Sequence, residues 1–178
     1  MQIRPLVQAD REPVSELITA HFTVDRSYEF PVNDECDGTV ARVAEEDGEI
    51  IGVMALSTYT AAEDLCDAMH LIDTVDLVPQ RPMYGLVHAG YTAPERTGEG
   101  IGSQLLAALH DIGTTNGVDV FVADAWFHGG PDSPAELLAA YGYDIVHTHS
   151  IAGHADGTCH KCPGSCTCEA ALAVRTTN

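Results

Sequence analysis

The chain carries one lysine, Lys161, and eight basic residues in all against 27 acidic ones, a formal net charge of −19 over 178 residues. That balance excludes the basic stripe on which nucleic-acid binding depends. No apolar run reaches the length of a membrane-spanning helix. The first residues, Met1 to Val7, enter what reads as a strand without the charged and apolar regions of a secretory signal, so a soluble cytoplasmic protein without membrane contact is expected. There is no internal repeat and no compositional break that would mark a second domain. Hydrophobic residues nevertheless make up 45% of the chain, which excludes disorder, and 178 residues suffice for one domain with a real core.

The acidity has two readings. It could attract a cationic substrate such as an amine, or it could be a solvated shell that keeps the protein dispersed in concentrated salt. Acidic residues spread along the whole length, with lysine nearly absent, resemble the composition of proteins from salt-loving archaea. In strong salt, long-range steering is screened, so the charge cannot identify a substrate.

Gln2 to Val7 is expected to form a first strand, and Asp10 to cap a helix reaching about Phe22, with Val14, Leu17, Ile18 and Phe22 on one face. Thr23 to Asp37 is polar and proline-interrupted, a short helix or loop, with Cys36 as an ordinary thiol. Two β-rich runs, Thr39–Glu46 and Glu49–Thr58, flank Asp47-Gly48, the strongest short-range signal of a hairpin. A helix is expected around Glu63–Met69, with Cys66 as a buried small hydrophobe, and a strand-like run over Leu71–Val78 before Pro79 and Pro82. Tyr84 to Ala93 reads as a strand and Val118 to Phe127 as a near-continuous apolar strand buried on both faces. With the helix between them they would form a right-handed parallel crossover. Ser133-Pro-Ala-Glu136 predicts a capped helix that stops at Gly142, and Tyr143–Ser150 and Glu169–Thr176 read as two last strands.

The most informative stretch is Thr92 to Leu106. A strand end at Pro94 is followed by Gly98-Glu-Gly-Ile-Gly102 and then by Ile101, Leu105, Ala108, Leu109 and Ile112 at helical spacing, with Asn116-Gly117 as the stop. Small residues let a backbone approach a pyrophosphate, and the N–H groups of the first helical turn point at the anion. Taken alone, such a turn is also compatible with an ordinary β-to-helix connection.

The order of elements, with Thr92-Ala-Pro94, Thr97-Gly-Glu-Gly-Ile-Gly102 and the late Tyr141-Gly-Tyr143, resembles the GCN5-related N-acetyltransferase (GNAT) family along nearly the whole chain. The family motif is Arg/Gln-x-x-Gly-x-Gly/Ala. Thr97 stands at its first position and Arg96 one place earlier. The resemblance implies an α+β (α/β) domain with a mixed central sheet and flanking helices, and acetyl-CoA as donor. It implies that the pyrophosphate rests on backbone N–H groups of Thr97, Gly98, Glu99, Gly100, Ile101 and Gly102, with Tyr91 and Thr92 holding the acetyl and pantetheine portions. The acceptor would be an amine of a small molecule or a protein, and a homodimer is among the assemblies expected.

Acetyl transfer by direct attack needs a neutral amine and a proton for the leaving thiolate. Neither Cys36 nor Cys66 is needed as a nucleophile. Aligning Gly142-Tyr143 with the family's Gly-Phe puts Leu138 at a position where many members have a tyrosine that acts as the acid. Leu138 cannot donate a proton, which leaves water, another side chain, or a reaction that needs little acid help. Tyr141 and Tyr143 are expected to pack in the core. His88 has a suitable ordinary pKa for a base, and Asp124 is a polar residue inside an apolar run. Each is equally compatible with a structural hydrogen bond, and these two are the candidate catalytic residues.

Cys159, Cys162, Cys166 and Cys168 fall within ten residues, and Cys159-His-Lys-Cys162-Pro-Gly resembles a rubredoxin-type knuckle. Four thiolates at this density suit a closed tetrahedral zinc site that clamps the loop between the last two strands, structural and not catalytic. His154 or His160 could replace a thiolate, and iron or disulfides are the other options. Two function classes therefore stand: an acetyl-CoA-dependent N-acetyltransferase, and a non-catalytic CoA-binding or zinc-stabilised interaction domain.

Overall fold

A computed structural model of the chain describes residues 1–21, 38–69, 75–127, 134–150 and 168–177. Strands and helices alternate: β1 (Gln2–Pro5), α1 (Arg11–Thr19), β2 (Thr39–Glu46), β3 (Glu49–Tyr59), α2 (Ala62–Met69) and β4 (Tyr84–Thr92). They continue as α3 (Ile101–Thr115), β5 (Val120–Phe127), α4 (Pro134–Ala140), β6 (Asp144–Ser150) and β7 (Glu169–Thr176). The result is the mixed α+β architecture expected, with sheet and flanking helices. Contacts divide it into two compact units, Met1–Ser57 with Val87–Thr115, and Thr58–Leu86 with Asn116–Asn178.

In the first unit the strand order is β1-β2-β3-β4. β2 and β3 pair antiparallel through Asp47 (φ 53°) and Gly48 (φ 86°), the two left-handed residues that a tight hairpin turn demands. The β2–β3 register shifts between Ala44 and Glu45. Helix α3 packs over β1 and β2 and buries Ile101, Leu105, Leu106 and Leu109. It stops before Gly117 (φ 85°), as the Asn-Gly pair predicts.

Two expectations in this unit need correction. β1 ends at Pro5, and α1 ends at Thr19. Asp10 stands at the N-cap position of α1 as expected, at the end of a 3-10 turn, Gln8–Asp10, but its side chain makes no cap bond to the helix. Its carboxylate is taken instead by the Arg4 fork, at 2.7 and 2.8 Å, and by the Val7 N–H at 2.8 Å. A bidentate ion pair outcompetes a single amide for the same oxygens.

In the second unit β7 pairs antiparallel with both β5 and β6. Val120, Phe121 and Val122 are fully buried, and so are Ala170 to Val174 on β7, as strands covered on both faces require. One core joins Leu65, Cys66 and Met69 of α2 to Tyr84, Leu86, Val120, Val122, Leu172 and Val174. Cys66 is thus the small core hydrophobe expected. Val75–Leu77 forms a 3-10 turn and not the end of a strand, while 71–74 lie outside the described residues. Its apolar side chains serve packing, Val78 and Leu77 reaching the α2 core, without a ladder partner.

Helix α4 begins at Pro134, and Gly142 (φ 77°) ends it. The Tyr143 N–H donates to the Leu138 carbonyl at 3.1 Å and the Gly142 N–H to the Ala139 carbonyl at 3.0 Å. This reciprocal pair satisfies two carbonyls of the last turn. The expected cap Ser133 and the segment Thr23 to Asp37, with Cys36, lie outside the described residues apart from the helix ends already given.

Candidate functional site

The geometry of the glycine turn follows from how the first unit closes on β3. The Ala93 N–H donates to the Ile51 carbonyl at 3.0 Å, which ties the end of β4 to its neighbour. Pro94 then opens a 3-10 turn, Pro94–Arg96. Thr97 and Glu99 turn their N–H groups inward, to the carbonyls of Pro94 (3.4 Å) and Arg96 (3.3 Å). Among the described residues, the N–H groups of Gly98, Gly100, Ile101 and Gly102 meet no such carbonyl, and the first one-turn bond of α3 is from Gln104 to Gly100 at 3.1 Å.

Gly98 (φ 86°) and Gly100 (φ 79°) hold conformations that side chains disfavour, yet a Cβ at either would touch nothing within 4 Å. The glycines serve backbone shape and leave open space in front of the helix start. Gly52 does the opposite. A Cβ there would stand 2.7 Å from Ile101 Cγ2 and 3.1 Å from Leu105 Cδ1, so its bare backbone is the seat of the first turn of α3. An interior strand glycine signals close approach, and this one was the available clue in the sequence.

Charge around the turn is arranged with care for its two acids. Arg96 donates through Nε to Glu99 (2.7 Å) and through Nη2 to Glu46 on β2 (2.8 Å). The Arg96 guanidinium holds Glu46 below its ordinary carboxylate pKa, with the Met1 ammonium adding to the effect. The cation next to the motif is therefore engaged with carboxylates.

At the end of β4, His21 donates its Nε2–H to the Thr92 carbonyl at 2.7 Å, since a carbonyl can only accept. Its ring leans on Tyr91, with centroids 5.3 Å apart. Nothing local in the sequence singles out His21, because the contact spans 71 residues. Four residues earlier on β4, His88 Nε2 lies 2.9 Å from Ser57 Oγ, and Ser57 Oγ lies 2.6 Å from Thr39 Oγ1. Burial pushes the His88 imidazole down to about 4, so it is neutral at ordinary pH.

Asp124 lies in the second unit, half-buried on β5 and in register with Leu172 of β7. Leu138 is buried on α4, and burial raises the Tyr143 hydroxyl well above its ordinary pKa, which removes it from acid–base work near neutrality. Tyr143 is fully in the core as expected; Tyr141 is only partly buried. His147 and His149 stack on β6 with centroids 5.7 Å apart. Cys159, Cys162 and Cys166, with His154 and His160, lie outside the described residues, whereas Cys168 is buried just before β7. Among the described residues no group of three or more His, Cys, Asp or Glu could hold a metal. No described helix is long and apolar enough to cross a membrane.

The model of the acetyltransferase (GNAT) family matches residues 7–128. No curated protein sequence is matched. Among solved structures, the fold is similar to a ribosomal-protein-alanine N-acetyltransferase from Brucella melitensis, at 17% identity and TM-score 0.63, covering 99% of this chain and 100% of that one. It is also similar to Arabidopsis thaliana NAA60 bound to a bisubstrate analogue, at 15% identity and TM-score 0.70, covering 98% and 97%. An aminoglycoside 6′-N-acetyltransferase in complex with coenzyme A matches at 12% identity and TM-score 0.63, covering 99% and 97%. At these identities the likeness concerns the fold, and the family model carries the assignment. The chain is an enzyme of the acetyltransferase (GNAT) family.

Proposed function

We propose that the protein transfers the acetyl group of acetyl-CoA to an amine by direct attack in a ternary complex. The observation that carries the reading is the turn of Gly98 to Gly102, where a Cβ at Gly98 or Gly100 would meet nothing within 4 Å and the N–H groups of Gly98, Gly100, Ile101 and Gly102 meet no backbone carbonyl among the described residues. A pyrophosphate fits this chemistry, as it needs several backbone donors and a helix start. Tyr91 and Thr92 would flank the acetyl and pantetheine portions, with His21 holding the Thr92 carbonyl. The neighbour that binds coenzyme A lends support to the donor.

In this reading the acceptor ammonium gives up a proton, and its nitrogen attacks the thioester carbon. A C–N bond forms, the C–S bond breaks, and the second N–H proton of the attacking nitrogen passes through water to the leaving thiolate in the place of a side-chain acid. His88 Nδ1 takes the amine proton, and Asp124 is the second candidate for that role. The acceptor is a small-molecule or protein amine; nucleic acid has no part. Titrating CoA into the protein by calorimetry, and following thiol release from acetyl-CoA with spermidine, kanamycin or an unblocked alanyl peptide, tests both halves. Binding with amine-dependent release supports the transfer.

A second reading, CoA binding without catalysis, is favoured by one observation, the buried Leu138 at the tyrosine position. Binding without release across the amines would select it. We further propose that Cys159, Cys162, Cys166 and Cys168 hold a structural zinc; their spacing and the burial of Cys168 support this. One zinc per chain, lost to a chelator together with part of the thermal stability, is expected. A metal-free native protein would sink the proposal.

A further inference from the structure

We propose that Ser57 and Thr39 set the tautomer of His88, placing its proton on Nε2 and leaving Nδ1 as the nitrogen that accepts from the substrate. The inference rests on the reading of His88 as base and extends it to two residues with no role so far.

Three adjacent strands supply the chain of atoms. Thr39 of β2 stands opposite Ser57 of β3 in the ladder, and their oxygens are 2.6 Å apart. Ser57 Oγ is 2.9 Å from Nε2 of His88 on β4. Ser57 is 4% exposed and follows the apolar run Val53–Leu56, where a hydroxyl without partners would be costly. The serine is kept in the core because it has a neighbour on each side. Among the described residues no hydrogen-bond partner of Nδ1 is found, and His88 is neither fully buried nor exposed.

A hydroxyl has one proton and can accept twice, so beside an arrangement in which both neighbours donate to Ser57, which also keeps the ring proton on Nε2, the row has two head-to-tail polarities. In one, Nε2–H donates to Ser57, and Ser57 donates to Thr39. In the other, Thr39 donates to Ser57, and Ser57 donates to Nε2. The second polarity puts the ring proton on Nδ1, which then cannot accept. The first leaves a lone pair at Nδ1. It also suits the ring after protonation, because an imidazolium donates from both nitrogens and Nε2–H already faces an oxygen. Taking a proton at Nδ1 then requires no hydroxyl to reverse. No proton leaves through the serine; the row orients the ring and receives its existing hydrogen bond. Ser57 and Thr39 are therefore positioning residues, and neither touches substrate.

The test reads the tautomer directly. Two-bond 15N–1H spectra of the histidine-labelled protein at neutral pH identify the His88 ring by its absence in His88→Gln. The expected wild-type pattern is Nε2 protonated and Nδ1 bare. Thr39→Val, which keeps the shape and removes the hydroxyl, and Ser57→Ala are expected to give a mixture of tautomers, and Thr39→Ser to restore the single one. An Nδ1–H tautomer in the wild type, or an unchanged spectrum in both Thr39→Val and Ser57→Ala, overturns the proposal. Full thiol release by His88→Gln, with the Nε2–H tautomer found in the wild type, overturns the base reading instead, so the two failures are distinct.

Discussion

Gly52 of β3 lies directly beneath Ile101, the first residue of α3, so closely that a Cβ on the glycine would stand 2.7 Å from Ile101 Cγ2. The atom it would meet belongs to a stiff, β-branched side chain that is itself 2% exposed, so the contact cannot be relieved by a rotamer change. The position of the helix start, and of the N–H groups in front of it, is set by this absence of a side chain. Gly52→Ala is expected to lower stability by about 1–3 kcal/mol, the range for overpacking, and to weaken CoA binding at the same time. Chemical denaturation and calorimetry on the same variant check the two effects. Unchanged CoA affinity would break the link between the seat and the turn.

Gly98 and Gly48 make a matched pair for separating strain from binding. Both have φ 86°, and a Cβ at either meets nothing within 4 Å. Alanine at each position should therefore cost a similar ~1 kcal/mol or so of backbone strain. If the diphosphate occupies the space before the turn, Gly98→Ala raises the Kd for CoA roughly tenfold or more, since 1.4 kcal/mol of lost contact is tenfold. Gly48→Ala leaves that Kd unchanged. Equal affinities in the two variants would remove Gly98 from the binding surface.

How far these features could be read without the structure depends on the range of the forces that make them. The Asp47-Gly48 hairpin, the Gly142 stop and the limits of β7 were all legible, because turn chemistry and alternation are encoded in consecutive residues. Asp10 stands at the N-cap of α1, as its place before a helical pattern predicts, yet its side chain does not cap the helix. Its real partner, Arg4, competes through geometry that no local pattern reveals. The apolar run before Pro79 suggested a strand, but Val75–Leu77 is a 3-10 turn whose neighbours are fixed by the α2 core. The glycine turn was visible, whereas the groups around it were not. His21 meets Thr92 across 71 residues, Ser57 meets His88 across 31, and Arg96 meets Glu46 across 50. Such pairs depend on strand order, which a motif does not supply.

Arg96 offers a test of the electrostatics. Its guanidinium neutralises Glu99, which sits inside the motif, and Glu46 beside it. Arg96→Gln leaves Glu99 unopposed and Glu46 with the Met1 ammonium alone near an anionic ligand, so CoA binding is expected to weaken at low ionic strength. Because the Arg96–Glu99 pair is exposed, the deficit should shrink as salt rises and the Debye length falls to about 3 Å at 1 M. CoA titrations of both proteins at low and molar salt measure this. A deficit independent of salt would point to lost packing in place of lost charge.

Asp10 provides the pH dependence of stability. The Arg4 fork holds its carboxyl below the ordinary range, and the Val7 N–H adds to the effect, while burial acts in the opposite direction. A carboxyl whose folded pKa lies below its unfolded value, about 3.9, contributes stability that is present above that value and is lost as pH falls through the folded pKa. Asp10→Asn is therefore expected to lose about 1.5–3 kcal/mol near neutrality, as for hydrogen bonds to charged groups. The gap to wild type should narrow below about pH 4. Urea melts at several pH values check the sign; a gap that widens in acid would contradict it.

The most direct measurement of the central claim follows the acetyl group itself. Acetyl-CoA labelled in the acetyl carbons is incubated with the protein and an amine mixture containing spermidine, kanamycin and an unblocked alanyl peptide. Mass spectra then record the amines, free CoA and the intact protein over time. Direct transfer predicts a labelled N-acetyl amine that grows in step with free CoA, with no labelled protein at any time point and no product from a sample lacking amine. CoA that binds the protein while every amine remains unlabelled would contradict the account and leave a binding domain.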